Sequence, residues 1–556
     1  MSRSFLIIIA VLFASCTAPV EYAVIVRNGT IYDGLGGDPY VGDVAIQGDS
    51  IAAVGALGDA IGRAEVDATG LAVAPGFINM LSWATTTLIE DGRSESDIRQ
   101  GVTLEIFGEG WSYGPLNEAM RSEVIDGQSH IRFDVPWTTL DQYLEHLVER
   151  GVSPNVASFI GAGTVRIHEL GYEDREPNPE ELERMKELVR QAMEDGALGV
   201  GSSLIYAPDT YASTEELIDL AKVAAEYDGL YISHIRSEGN RFLEALDELI
   251  RIASEAGIRA EIYHLKAAGS ENWNKLEAAI ERIEAARDSG LAITADVYAY
   301  TAGATGLDAA MPPWVQEGGF GPWRERLMDP AIRRKVISEM RTRTDEWENL
   351  MMAAGPAGVK LVGFRKSEHQ DLIGKTLAEL SEERGVSPED VAVDLVIADS
   401  SRVESVYFFM SEENVRRKIA LPWVAFDSDA ESAGQGGAFT NWNPHPRAYG
   451  NFARLLGKYV REEQIIPLEE AIRRLTSFPA ENLRIQRRGS LRAGNFADIV
   501  IFDPNTIIDH ATYDQPRQYA TGVHHVFVNG EQVLRDGEHT GAFPGRVVRG
   551  PGHVGH

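Results

Sequence analysis

Leu230-Tyr231-Ile232-Ser233-His234, Ile258-Arg259-Ala260-Glu261-Ile262-Tyr263-His264 and Leu291-Ala292-Ile293-Thr294-Ala295-Asp296-Val297-Tyr298 are three short apolar runs in the middle of the chain. Each has the length and the β-branched or aromatic content of a buried strand. Between them the apolar spacing changes to a helical period, over Phe242 to Ala256 and over Trp273 to Ala286. One more such unit precedes them: Leu198-Gly199-Val200-Gly201, then Ser213-Thr214-Glu215-Glu216, a capping box opening a helix to about Glu226. This alternation means parallel strands joined by right-handed crossovers.

Working outward, residues 22–75 read as short strands, the first closing at the tight-turn pair Asn28-Gly29. The pattern returns late, in Ala497 to Phe502 and in Val523 to Val528, which closes at Asn529-Gly530. Two β-rich ends around a long α/β middle predict one small β domain from 22–75 plus 486–545, and a barrel domain over 76–485. An open doubly wound sheet shares the middle rhythm but lacks the terminal β domain, and no GxGxxG loop is present. The expected fold class is therefore α/β, a (β/α)8 TIM barrel. Residues 302–365 break the rhythm with Pro312-Pro313-Trp314, a Gly-rich run and a basic helix around Arg333 to Arg343. They read as an insertion at the barrel mouth, and Arg549 to His556 as a loose tail.

The net charge of −32 would repel a polyanion, which argues against nucleic acid as a partner. Residues 1–20 have the pattern of an export signal: Arg3, an apolar run from Phe5 to Ala14, then Ala14-Ser15 and Cys16. That order resembles a bacterial lipoprotein signal, which would acylate Cys16 and leave a secreted, periplasmic or membrane-attached protein. Cys16 is the sole cysteine, so the mature chain has no intrachain disulfide and no thiolate metal site. No later segment has the 18 or more uncharged apolar residues of a membrane helix.

His234 and His264 close successive strands, 30 residues apart, the length of one βα unit. In a closed barrel the C-terminal strand ends carry the active site. Two carboxylates join them as candidates. Glu109 stands between Gly108 and Gly110 at the end of a strand-like run, and Asp429 ends Trp423 to Asp429. Two histidines and a carboxylate suit a catalytic zinc with a fourth position for water. Zinc lowers the pKa of that water to about 7, and a further carboxylate can move the protons. Each residue also has an ordinary structural use, as a satisfied histidine, a turn glutamate or a helix-capping aspartate. Glu105 and Asp427 compete for the carboxylate places.

Val73-Ala74-Pro75-Gly76-Phe77-Ile78 is similar to the first barrel strand of the amidohydrolase superfamily. Gln100-Gly101-Val102-Thr103, Gly196-Ala197-Leu198-Gly199 with Ile205-Tyr206, Ser233-His234 with Arg236, and His264-Leu265-Lys266-Ala267-Ala268-Gly269 follow in order. So do Asp296-Val297-Tyr298-Ala299-Tyr300, His445-Pro446-Arg447 with Gly450, and Gly494-Asn495-Phe496-Ala497-Asp498 with Phe502-Asp503-Pro504. Over nearly all of its mature length the chain resembles the N-acyl-D-amino-acid deacylases, or D-aminoacylases. The resemblance implies a TIM barrel, a small β-sandwich formed by both chain ends, and an insertion over the active site. It implies that His234 and His264 are ligands of a tightly held zinc and that Asp429 is the general base and acid. It further implies that Lys266, Tyr298 and Arg447 grip the substrate α-carboxylate, with Tyr206 also at the substrate.

The chain departs from the family in two places. Leu81 and Trp83 stand where the superfamily has His-x-His on its first strand, and Glu109 falls where the family has a bridging cysteine. His2Glu is an established catalytic zinc set, so the expected centre is one Zn2+, or another divalent metal, on Glu109, His234 and His264. The hydroxyl that the family places after the Tyr298 strand is replaced by Ala304, with Thr305 adjacent. The expected reaction is hydrolysis of N-acyl-D-amino acids to a carboxylate and a free D-amino acid. Hydrolysis of dipeptides or cyclic amides, and a non-catalytic amidohydrolase-like binding protein, are the other readings.

Overall fold

A computed structural model describes residues 20–554. The export-signal reading and Cys16 lie outside the described residues.

Eight parallel strands make the barrel. They are β1 (Phe77–Asn79), β2 (Val102–Phe107), β3 (Asn155–Ser158, continued by Ile160–Gly161), β4 (Gly199–Ser203), β5 (Leu230–His234), β6 (Arg259–Ile262), β7 (Ile293–Val297) and β8 (Val424–Phe426). Neighbours pair in chain order from β1 to β8. The last seam closes past the end of β1: the Asp429 N–H donates to Leu81 O at 3.0 Å, and the Trp83 N–H to Ala430 O at 2.9 Å. Helices Thr214–Glu226, Phe242–Ala256 and Leu276–Asp288 follow β4, β5 and β6. Ser213 caps the first of them by accepting the Glu216 N–H.

Side-chain parity on the strands separates two cores. Leu230 and Ile232 join Ile78, Leu104, Ile106, Phe159 and Ala425 inside the barrel, while Tyr231 packs outward among the helices. His234 has the inward parity of Leu230 and Ile232, so β5 delivers its ring to the C-terminal mouth.

Both chain ends build one nine-stranded sheet. Glu21–Ile31, at its centre, pairs with Tyr40–Gln47, Ile61–Asp67 and Ala72–Pro75, and Ala72–Pro75 pairs in turn with Ile499–Phe502. Ile499 and Ile501 face an inner core with Val26, Val44, Ile46 and Phe527. Val500 and Phe502 face the barrel, where Phe502 meets Phe77 edge-on at 6.2 Å.

The insertion between β7 and β8 reaches further than 302–365. Its three-stranded antiparallel sheet has Glu404–Tyr407 in the middle, paired with Gly303–Gly306 and Val359–Gly363. The central strand comes last in sequence, so the intervening helices Leu377–Arg384 and Pro388–Asp399 belong to the same excursion. Its core contains Leu307, Met311, Trp323, Leu361 and Tyr407, and is built directly on Tyr298 and Tyr300. The described part of the C-terminal tail is not loose. Arg549 pairs with Asp141 and Glu145, and the Gly550 N–H donates to Gly196 O at 2.8 Å.

Candidate active site

Glu109, His234 and His264 converge at the barrel mouth. Glu109 Oε1 lies 3.0 Å from His234 Nδ1 and 2.9 Å from His264 Nε2, and the two nitrogens are 3.1 Å apart. All three side chains are buried. Glu109 reaches this point because glycine flanks it. Gly108 and Gly110 have φ of +108° and +68°, and a Cβ on Gly108 would come within 2.4 Å of Phe159 O. His264 follows the end of β6, whose parity would send it outward with Ala260 and Ile262. Its φ of +36° breaks that parity, and its backbone N–H is held by the Asp296 carboxylate. A non-glycine residue in this region is strained, and such strain clusters at functional sites.

The donor set fits a divalent metal: two imidazole nitrogens and one carboxylate oxygen, mutually within hydrogen-bond distance. The electrostatics favour a cation at the same place. Burial and Lys266 push the His264 imidazole down, but Glu109, Asp429 and Glu238 outweigh them and raise it to about 10. Burial pushes the Glu109 carboxyl up, and His264 and His234 more than reverse this, holding it well below the usual carboxylate range. The same anionic neighbours would favour a bound cation.

The other expected residues surround the triangle. Asp429 follows β8 with φ +45°. Its Oδ2 lies 2.9 Å from Arg447 Nη1 in an ion pair, and its Oδ1 accepts from Trp83 Nε1 at 3.1 Å. Arg447 is only 2% exposed, yet its Nε and Nη1 have no hydrogen-bond acceptor in proper direction among the described residues. Two cations lie close to the Tyr298 ring, the Arg447 guanidinium 4.4 Å and Lys266 Nζ 5.6 Å from its centre. Tyr206 meets the His234 ring edge-on at 5.5 Å.

The rivals fall elsewhere. Glu105 is enclosed between Ser82 and Ser94 inside the barrel wall. Asp427 is wholly buried near Asp296, and burial pushes it up to about 6. Leu81 is core. Sequence reasoning missed Glu238, whose Oε1 lies 2.6 Å from Lys266 Nζ and 3.1 Å from His264 Nδ1. Its one sequence signal is an acid four residues after His234. The Trp83 contact has no sequence signal either, since it joins residues 346 apart.

Residues 423–534 match the sequence pattern of the Amidohydrolase family. The D-aminoacylase of Alcaligenes xylosoxydans xylosoxydans is 31% identical over 531 residues, covering 95% of this chain and 97% of its own. The chain belongs to the N-acyl-D-amino-acid deacylase family of amidohydrolases. Two solved structures of the family align with it. A D-aminoacylase, described as having a binuclear centre with one-metal activation and second-metal attenuation, superposes with a TM-score of 0.79 at 30% identity, covering 95% of this chain and 100% of that one. The N-acyl-D-glutamate deacylase of Bordetella bronchiseptica, bound to zinc and a phosphonate mimic of the tetrahedral intermediate, gives 0.78 at 28% identity over the same shares. Within this deacylase family the chain is thus a member with Leu81 and Trp83 just past the end of its first barrel strand.

Proposed function

We propose that this protein is a metal-dependent hydrolase that cleaves N-acyl-D-amino acids to a carboxylate and a free D-amino acid. The observation that carries this reading is the meeting of two half-sites. Asp429 links them: its charge acts on His264 of the Glu109–His234–His264 triangle, and it pairs with the buried, under-satisfied Arg447 guanidinium.

Glu109 Oε1, His234 Nδ1 and His264 Nε2 would hold one divalent ion, for which zinc suits the donors. When bound, the ion supplies Lewis acidity to the amide carbonyl and lowers the pKa of the attacking water. The chain's own groups do the rest. Asp429 takes a proton from the water and returns it to the leaving amine nitrogen. The buried donors of Arg447 receive the α-carboxylate, which a guanidinium binds in bidentate fashion. Lys266, 5.6 Å from the Tyr298 ring centre, adds positive charge, and the Tyr298 and Tyr206 rings wall the site against water.

Metal analysis joined to an activity screen on paired N-acyl-D- and N-acyl-L-amino acids tests the reading. Release of the D-amino acid alone, with about one ion per chain, is the expected result. Equal turnover of both enantiomers, or turnover with no bound metal, would overturn it. Attachment to a membrane through acylated Cys16 is proposed from the sequence. A Cys16→Ser variant should then move from the membrane to the soluble fraction.

A further inference from the structure

Asp429 lies outside regular pairing. Its φ of +45° departs from the strand that precedes it, so β8 alone does not fix where the carboxylate points. The end of the first barrel strand does. Asp429 N–H donates to Leu81 O and Trp83 N–H to Ala430 O, so the backbones of Trp83 and Asp429 are locked in one register. From that fixed base the indole Nε1–H reaches Asp429 Oδ1 at 3.1 Å, while Oδ2 faces Arg447.

We propose that Trp83 is a positioning residue for the reaction, its indole N–H fixing the Asp429 carboxylate for proton transfer. The inference rests on the reading of Asp429 as general base. An indole N–H suits the task because it donates one hydrogen bond and accepts none, so it cannot compete for the proton being moved. Its bond falls on Oδ1, apart from the Oδ2 that Arg447 faces, so it defines the orientation of Asp429 independently of the guanidinium. Productive geometry of this kind is a large share of a catalytic barrier.

Trp83→Phe keeps an aromatic ring and removes the donor along with the smaller ring of the indole. In the metal-loaded, full-length protein kcat should fall about tenfold or more, the scale of one hydrogen bond to a charged group. KM and the metal content should stay as in the parent. A second measurement needs no change at Trp83. The chain has nine tryptophans, and in ¹⁵N-indole-labelled protein Asp429→Asn should move one indole N–H resonance upfield, as a charged acceptor becomes neutral. Trp83→Phe, where it folds, should delete that same resonance. Unchanged kcat in Trp83→Phe alongside an inactive Asp429→Asn would overturn the positioning role and leave the general base standing. Full activity in Asp429→Asn would instead remove the general base. Indole spectra indifferent to Asp429→Asn would show that the contact is not made.

Discussion

Glu238 Oε1 lies 2.6 Å from Lys266 Nζ, with neither side chain more than 4% exposed. The same carboxylate oxygen is 3.1 Å from His264 Nδ1, the ring nitrogen that does not face Glu109. A carboxylate behind a metal-binding imidazole fixes its tautomer and orientation, and its loss commonly costs 10- to 100-fold in metal affinity. Glu238→Gln should therefore weaken metal binding by about that factor, read by competition with a chelating dye. Parent-like affinity would make Glu238 a partner of Lys266 alone.

Glu109 bears on both histidines directly, so its replacement should cost more. Glu109→Gln removes the anionic oxygen that His234 Nδ1 and His264 Nε2 share. After dialysis against a chelator the variant should hold well under one ion per chain, and its activity should drop by more than the roughly 100-fold of an outer-shell change. Retention of a full equivalent of metal would move the third ligand elsewhere.

The barrel was readable because its signals are local. Strand parity, helix periods and the Ser213 cap in residues 198–298 are set by near neighbours, and the helices Thr214–Glu226 and Phe242–Ala256 match their sequence reading. His234 was legible for the same reason, since it continues the parity of β5. His264 and Asp429 are harder, because left-handed backbone breaks parity where each enters the site. Glu238, Trp83 and the extent of the insertion depend on contacts between distant segments. Glu404–Tyr407 declares itself part of the insertion only by pairing with strands about 45 and 100 residues earlier. The docking of the tail is invisible in sequence, because the pairing of Arg549 with Asp141 and Glu145 leaves no periodic trace.

Leu81 and Trp83 also bear on metal count. Leucine offers no donor, and the indole N–H is already given to Asp429. Calorimetric titration of metal-free protein with zinc should saturate at about one equivalent. Activity should then not decline as zinc is raised modestly beyond it, unlike the D-aminoacylase described with second-metal attenuation. A second tight equivalent would require ligands beyond Glu109, His234 and His264.

Lys418 gives a pH signature separate from the metal. It is 3% exposed and donates to Leu265 O at 2.6 Å. Burial, with Lys266 adding repulsion, pushes its ammonium down to about 7. In the unfolded chain it titrates near 10.4. Between these values the unfolded state binds more protons, so stability rises with pH across that window. Below about 7 the folded protein carries the full cost of a buried charge. The Tm of Lys418→Met minus that of the parent should therefore shrink as pH is raised from 7 to 10. A difference that stays flat would mean that Lys418 keeps an ordinary pKa.

Arg447 touches both the base and the expected anion, and one substitution can separate those roles. Arg447→Met removes the ion pair with Asp429 Oδ2 and the unpartnered Nε donor together. Loss of the ion pair alone would slow every substrate alike, because proton transfer serves them all. Loss of the anion grip would slow only substrates with a free α-carboxylate, and breaking a buried charge pair costs about 2–5 kcal/mol. The ratio of kcat/KM for an N-acyl-D-amino acid to that for its carboxamide isolates the second effect. That ratio should fall by about 30-fold or more in Arg447→Met, given tenfold per 1.4 kcal/mol. An unchanged ratio with a uniform loss of rate would assign Arg447 to Asp429 and leave the carboxylate to Lys266.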